Sequence, residues 1–297
     1  MRPTPYKGIL LAGGLGTRFD PMTRFCSKQL LPVYDKPMIY YPLSLLMKQG
    51  IREILIITTA THLPLFTQLM GDGTQWGMRL VYQAQVSPGG IAQALMIGQH
   101  FIQKQPIILV LGDNIFGGKS WDQLLHNALA AKPKAMIFLY PVNDVSAYGS
   151  ATLDKAGQVI FVEEKTQRTR AGYAITGLYL YDHEAVAVAQ GIQPSFRGEL
   201  EITTINQHYL SISMLTAQVI DPTLASWFDA GTPETLLSAS QYVATWQQQS
   251  RAIMACPEAI AYQNQWIALS QFADLAKRAT NHAYRAYLHD LLRQWSS

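Results

Sequence analysis

Three glycines, one arginine and one lysine near the start of the chain are residue types suited to holding a polyphosphate. Gly13, Gly14 and Gly16 follow an apolar run in LLAGGLGTRF. With no Cβ in the way, backbone N–H groups there can come close to a phosphate. Arg18 offers a planar guanidinium to phosphate oxygens, and Lys28 adds a point charge ten residues later. The set fits a triphosphate better than a dinucleotide, because Phe19 stands where the third glycine of GxGxxG belongs. It is not a Walker A loop, since no Gly-Lys-Ser/Thr closes it. The alternative is a tight structural turn without a ligand.

Acids that could complete such a site lie far along the chain. Asp113 directly follows Gly112 after the apolar run 107–111, where a carboxylate can hold Mg²⁺ against nucleotide phosphates. A turn-forming aspartate in Gly-Asp-Asn is the competing reading. Asp229, in Trp227-Phe228-Asp229-Ala230-Gly231-Thr232, is the second candidate, with a helix N-cap as its alternative. Glu163-Glu164-Lys165 can bind a sugar phosphate through the lysine and hydroxyls through an acid, or can be a solvated strand end. Gln85 and Gly90 flank Ser87-Pro88-Gly89, a loop able to present an amide to a nucleobase edge. Gly198-Glu199-Leu200-Glu201 reads as an ordinary first helical turn. The seven histidines are scattered, and no Ser/His/Asp or Cys/His arrangement emerges.

What must position these groups is an α/β scaffold. Runs 8–12, 54–58, 107–111 and 135–140 are apolar on both faces, as strands of a covered parallel sheet are. Helical patterns at 38–49, 62–69, 90–101 and 121–131 alternate with them. The result is a doubly wound, mostly parallel, Rossmann-like sheet whose ligands lie beyond the strands' carboxyl ends. From about residue 148 the pattern changes to a hairpin, 150–153 with 159–163 around Asp154-Lys155-Ala156-Gly157. A strand at 173–181 and a helix at 198–209 follow, and past Pro233 the chain reads as mostly helical. We therefore expect a catalytic domain over 1–232 and a helical extension packed on it over 233–297.

Composition narrows the class further. Hydrophobic residues make up 48% of the 297 and charged residues only 14%, against roughly 25% charged in an average domain, which excludes disorder. The net charge of +3 is spread out rather than gathered on a basic face, so nucleic acid is not an expected partner. Cys26 and Cys256 show no metal or disulfide spacing, which points to a reducing, cytoplasmic setting. The apolar stretch after Lys7 is short, glycine-broken and runs into Thr17 and Arg18, so it reads as a buried strand and not a signal peptide. No run approaches the ~20 apolar residues of a membrane span.

Taken in order, LAGGLGTRFDPMTRFCSKQLLPVYDKPMIYYPLSLLM, LGDNIFGG, VEEK, YAITGLYLYD, RGELEIT and WFDAGT resemble glucose-1-phosphate thymidylyltransferases, from Lys7 to Ala261. The segment SKQLLPVYDKPMIYYPLS is narrower than the glycine signature, because uridylyltransferases of similar fold usually carry Lys-Glu-Met-Leu-Pro there. The resemblance implies the nucleotide-diphospho-sugar transferase fold and a reaction of dTTP with glucose 1-phosphate. It implies that Gly13, Gly16, Thr17 and Arg18 hold the triphosphate, with Lys28 and Gln29 alongside, and that Gln85 and Gly90 contact thymine. Asp113 and Asp229 would hold Mg²⁺. Tyr148, Gly149, Glu164, Lys165 and Ile175 would line the sugar-phosphate site with Glu199 nearby, and Lys165 would grip the attacking phosphate. By analogy the C-terminal helices would build a homotetramer with a second, regulatory nucleotide site. The chain departs from the family at Thr166 (usually proline), Thr204 (aspartate), Ala230 (threonine), and Val86 and Gly89 (proline and aspartate). Use of UTP or another hexose phosphate, or a sugar-nucleotide sensor without turnover, are the alternatives.

Overall fold

A computed structural model of the chain describes residues 4–14, 16–118, 120–166 and 169–296. The first strand, β1 (Lys7–Ala12), is buried along its whole length. A small ribbon, β2 (Pro32–Val33) with β3 (Lys36–Pro37), leads into α1 (Tyr40–Lys48) and β4 (Glu53–Thr59). Then come α2 (Leu63–Met70), β5 (Arg79–Gln85), α3 (Gln93–Ile97), α4 (Gln99–Ile102) and β6 (Ile107–Leu111). These strands pair in parallel in the order β6-β1-β4-β5, with Gly8 opposite both Ile54 and Ile108. The chain therefore winds outward from β1 on one side and returns to its other side as β6. Such a reversal opens a crevice beyond the carboxyl ends of β1 and β6. Gly13 and Gly112 begin the loops at that crevice.

Past the crevice the sheet becomes mixed. The chain continues through β7 (Asn114–Gly117), α5 (Ser120–Ala131), β8 (Ala135–Val142), β9 (Ser150–Leu153), β10 (Val159–Glu163) and β11 (Gly172–Tyr181). Next are α6 (Ala185–Gly191), α7 (Ile202–Ser211), β12 (Leu215–Val219) and β13 (Ser226–Asp229). Strand β11 runs antiparallel to both β6 and β8, and a bulge between Ile175 and Tyr179 lets its first half take β9 instead of β6. The expected hairpin is β9–β10, closed by Asp154 Oδ1 accepting from the Ala156 and Gln158 N–H groups at 2.8 Å each.

Alternate strand residues feed two apolar layers. Leu10, Ile54, Ile56, Ile108 and Val110 face one, while Ile9, Leu55, Ile57, Ile107 and Leu109 face the other. The C-terminal helices α8 (Pro233–Ser250), α9 (Pro257–Gln263), α10 (Leu269–Arg278) and α11 (His282–Ser296) follow β13. Ile260, Phe272 and Leu288 of the last three join the first layer. Among the described residues no helix is long and apolar enough to cross a membrane.

Two helix expectations change in detail. The pattern at 90–101 is split at Gly98, where a Cβ would press on Leu55 at 3.1 Å, so sheet and helix meet closely there. The helix expected from residue 198 begins at Ile202, because Gly198 takes a left-handed φ of 75° and ends a turn that Ser195 closes. Glu199 is thus a loop residue and not part of a first helical turn.

Candidate active site

A two-strand ribbon brings the distant acids together. β7 and β13 pair antiparallel with Asp229 opposite Asn114, and the Ala230 N–H donates to the Asp113 carbonyl at 3.0 Å. Asn114 is the buried pin of this joint. Its Nδ2 donates to Asp113 Oδ1 at 3.0 Å, and its Oδ1 accepts from Trp227 Nε1 at 2.6 Å and from the Gly177 N–H at 3.3 Å. The N-cap alternative for Asp229 fails, because Thr232 caps α8 reciprocally with Thr235. The Asp229 carboxylate is left to the crevice. A Cβ at Gly231 would stand 3.1 Å from Asp229 Oδ1 and 3.4 Å from Arg18 Nη1, so a glycine there lets acid and guanidinium approach.

The charges in this crevice are strongly coupled. Lys28 ion-pairs with Asp113, both largely buried. Burial by itself would push the Lys28 ammonium down, but Asp113 and then Asp229 outweigh it, and its pKa lies above the ordinary lysine value. Burial likewise opposes ionisation of Asp113, yet Lys28 and the Asn114 amide hold it below the usual carboxylate range. Asp229 is the frustrated member: burial and the Asp113 charge raise it to about 6 against the pull of Lys28, Arg18 and Lys165. A buried carboxylate held up by its neighbour is one that an added cation would relieve.

Arg18, Lys28, Asp113, Tyr148, Gly149, Glu164, Lys165, Ile175, Glu199 and Asp229 all line one cavity of about 210 Å³. Ten expected site residues, scattered over more than two hundred positions, therefore converge. On the far wall Tyr148 packs edge-on against Trp227, ring centroids 5.3 Å apart, and the Gly149 carbonyl accepts from the Ile175 N–H at 2.8 Å. Arg197, which sequence reasoning missed, also lines the cavity. It ion-pairs with Glu164 at 3.0 Å and with Glu201 at 2.8 Å, while Thr203 donates a further hydrogen bond to Glu164. Its only signal was its place beside Gly198 in RGELE.

The remaining expected residues border the cavity in different ways. Gly16 has φ 67° and opens a single 3₁₀ turn carrying the exposed Thr17 and Arg18, with Thr23 Oγ1 donating to its carbonyl at 2.8 Å. Among the described residues Gly14 has only Lys28 Cε near a would-be Cβ, at 3.9 Å, so none of them demands glycine there. At Gly13 a Cβ would fall 2.1 Å from Gln85 Oε1, so the end of the Gln85 side chain occupies the space a larger residue would take. Gln85 and Gly90 meet at 3.3 Å, amide nitrogen to carbonyl, next to Gly13. Gln29 is buried and accepts from Ser27 Oγ at 2.5 Å, so its side chain supports the Lys28 turn from beneath.

Two carboxylates, Asp113 and Asp229, suit a hard divalent cation whose other ligands are phosphate oxygens and water. Among the described residues no group of three or more His, Cys, Asp or Glu could hold a metal by itself. The donor set thus fits a metal that arrives with a nucleotide.

Residues 7–245 match the family described as nucleotidyl transferase. Proteins named glucose-1-phosphate thymidylyltransferase are similar nearly end to end. That of Xanthomonas campestris pv. campestris is 47% identical over 98% of both chains, and that of Neisseria meningitidis serogroup A is 45% identical over 97% of this chain and all of its own. A Bacillus anthracis structure assigned as a glucose-1-phosphate thymidylyltransferase, in complex with sucrose, superposes with a TM-score of 0.74 at 37% identity, covering 80% of this chain and 94% of that one. A UDP-glucose pyrophosphorylase complexed with UDP-glucose shares the fold at 20% identity and a TM-score of 0.72, over 82% of this chain and 99% of its own. The chain belongs to the nucleotidyl transferase family and, within it, to the glucose-1-phosphate thymidylyltransferases.

Proposed function

We propose that the enzyme joins dTTP and glucose 1-phosphate to give dTDP-glucose and pyrophosphate. The observation that carries this reading is the convergence of Arg18, Lys28 and Lys165 with the Asp113–Asp229 pair in one cavity. A phosphate monoester is already ionised near neutral pH, so the attack of its oxygen on the α-phosphorus needs no general base. Positioning and charge neutralisation then make up the catalysis. Lys165 orients the attacking phosphate, and Arg18 and Lys28 take up the charge that develops on the departing pyrophosphate. Glu164, held by Arg197 and Thr203, receives the sugar hydroxyls, with Tyr148, Gly149, Ile175 and Glu199 completing that wall. Asp113 and Asp229 would hold Mg²⁺, which would supply charge neutralisation for the phosphates.

Gly13, Gly14, Gly16, Thr17 and Gln29 belong to the triphosphate loop in this reading, and Gln85 and Gly90 to the base. Residues 233–297 are our assignment of an assembly and regulatory extension in a homotetramer, working in the cytoplasm, where the free thiols of Cys26 and Cys256 would persist. Pyrophosphate release from dTTP plus glucose 1-phosphate, with and without Mg²⁺ and against UTP, tests the reaction. No release from any pair would overturn it.

A further inference from the structure

A second cavity, of about 780 Å³, shares no lining residue with the crevice. It lies between the turn of the β2–β3 ribbon, the end of α8 and the start of α11. The rings of Tyr34, Tyr40, Tyr284 and Tyr287 line it, with Arg251 at the C-cap of α8. Two of these side chains stand on unfavourable backbone. Tyr34, the first of the two residues that join β2 to β3, has φ 57°, and Arg251 has φ 55°. Glycine or asparagine is usual at both kinds of position, because in left-handed backbone a Cβ crowds the following carbonyl. An aromatic ring and a guanidinium therefore reach one cavity at a conformational cost that glycine would avoid. The charges around them leave Arg251 over. Asp35 is engaged by Lys36 at 2.5 Å and by Gln247 Nε2 at 3.1 Å. Glu258 accepts from the Tyr284 hydroxyl and, at 3.4 Å, from Trp76 Nε1. The exposed Arg251 meets no carboxylate among the described residues.

We propose that this cavity is a second binding site, for a small ligand made of a flat ring and an anionic group. The ring lies among the tyrosines, whose faces offer rigid apolar surface to a planar partner. The anion meets the Arg251 guanidinium, whose donors match a carboxylate, sulfonate or phosphate. The cavity's volume falls in the range of roughly 300–1,000 Å³ that small-molecule sites occupy. The site is separate from the crevice and does not depend on the reaction proposed there.

Two fluorescent dyes test it. Anilinonaphthalene sulfonate carries aromatic rings and one anionic group, and phenylnaphthylamine carries the same rings without the charge. Titrations with each dye, beside thermal melts, compare wild type with Arg251→Gly, Tyr34→Asn and Arg18→Ala. Arg251→Gly should weaken the sulfonate about tenfold or more, as loss of a charged hydrogen bond does, and move phenylnaphthylamine less than about twofold. Tyr34→Asn should weaken both dyes, and Arg18→Ala, in the crevice, should change neither. Because glycine relieves the left-handed backbone, Arg251→Gly should also melt about 2 °C above wild type, with Tyr34→Asn no lower than wild type. Side chains kept for packing alone would give the reverse, lower melting with binding unchanged. The proposal is overturned if wild type binds no sulfonate, if Arg251→Gly loses both dyes equally or melts lower, or if Arg18→Ala abolishes binding. Displacement of the bound sulfonate by hydroxybenzoate or by dTMP then tells a ringed carboxylate from a nucleotide. Displacement by neither leaves a site for the dye only and also overturns the proposal.

Discussion

Two lysines eight residues apart, the buried Lys36 and the largely buried Lys28, each pair with an aspartate, yet their surroundings differ in kind. Lys36 is sealed in. It pairs with the adjacent Asp35 at 2.5 Å, and the rings of Tyr41 and Tyr284 lie about 6 Å on either side, at 6.0 and 5.9 Å. Gln247 of α8 bonds Asp35 Oδ2 at 3.1 Å, which ties the β2–β3 ribbon to the C-terminal helices. Burial dominates there and pushes the Lys36 ammonium down even with Asp35 beside it. At Lys28 burial is overcome by two acids, one of which, Asp229, has no cation of its own in hydrogen-bond contact among the described residues. The Lys36 pair ties the ribbon to the C-terminal helices, while at Lys28 one lysine in contact with Asp113 faces two acids.

Substitutions on the two sides should separate those roles. The largest effect belongs to Arg18→Ala, which should lose about 10²–10³-fold in kcat because one preorganised donor to a developing charge is removed. Its melting temperature should stay near wild type, since Arg18 is exposed and packs into no core. Steady-state kinetics beside a thermal melt check both halves, and normal turnover would dismiss the assignment. Lys36→Met should show the opposite pattern. We expect a loss on the order of 1 kcal/mol in unfolding free energy, from giving up the Asp35 pair and the contacts with the Tyr41 and Tyr284 rings, with turnover at low temperature within about twofold. A collapse of kcat in a stable Lys36→Met protein would erase the distinction between the two lysines.

The smallest effect concerns Asp229 and depends on pH. Its pKa is raised in the folded state from the ordinary 3.8 to about 6, so the native protein binds the extra proton between those values. Its contribution to stability is therefore present below about pH 4 and is lost as pH rises through about 6. In metal-free protein, Asp229→Asn should melt a few degrees above wild type at pH 7 and show little difference at pH 4. Melts across that range check the sign. A gap that shrinks as pH rises would contradict the crowded carboxylate.

Much of this was readable from residue types, and the failures have physical reasons. Strands β1, β4, β6 and β8 declare themselves because both faces are largely buried and an unbroken apolar run fills most of each. Strand β5, RLVYQAQ, lies at the sheet's edge with polar residues interleaved, so it carries no such run. NIFG and SWFD carry no strand pattern of their own, because each is only four residues long. They become strands only by pairing with each other, which no local pattern encodes. For the same reason Asp113 and Asp229 were separate candidates in sequence and became neighbours only through Asn114 and that ribbon. Arg197 was invisible because its partners, Glu164 and Glu201, come from different elements. The glycines were legible as a group, but their reasons differ: Gly16 for its left-handed φ, Gly13 for the approach of Gln85.

The β7–β13 ribbon also says when during synthesis the enzyme can come into being. Its hydrogen bonds join residues more than a hundred positions apart, a loop closure that local structure cannot anticipate. A nascent chain that has emerged only through β12 can already have paired β6 with β1, and so possesses the glycine-rich turn and Asp113. It lacks the second carboxylate until β13 docks on β7. The site is therefore assembled late, by a closing stitch laid across a sheet that has largely formed. Chains interrupted before residue 229 would leave the ribosome with the glycine-rich turn and Asp113 but without the second acid of the crevice.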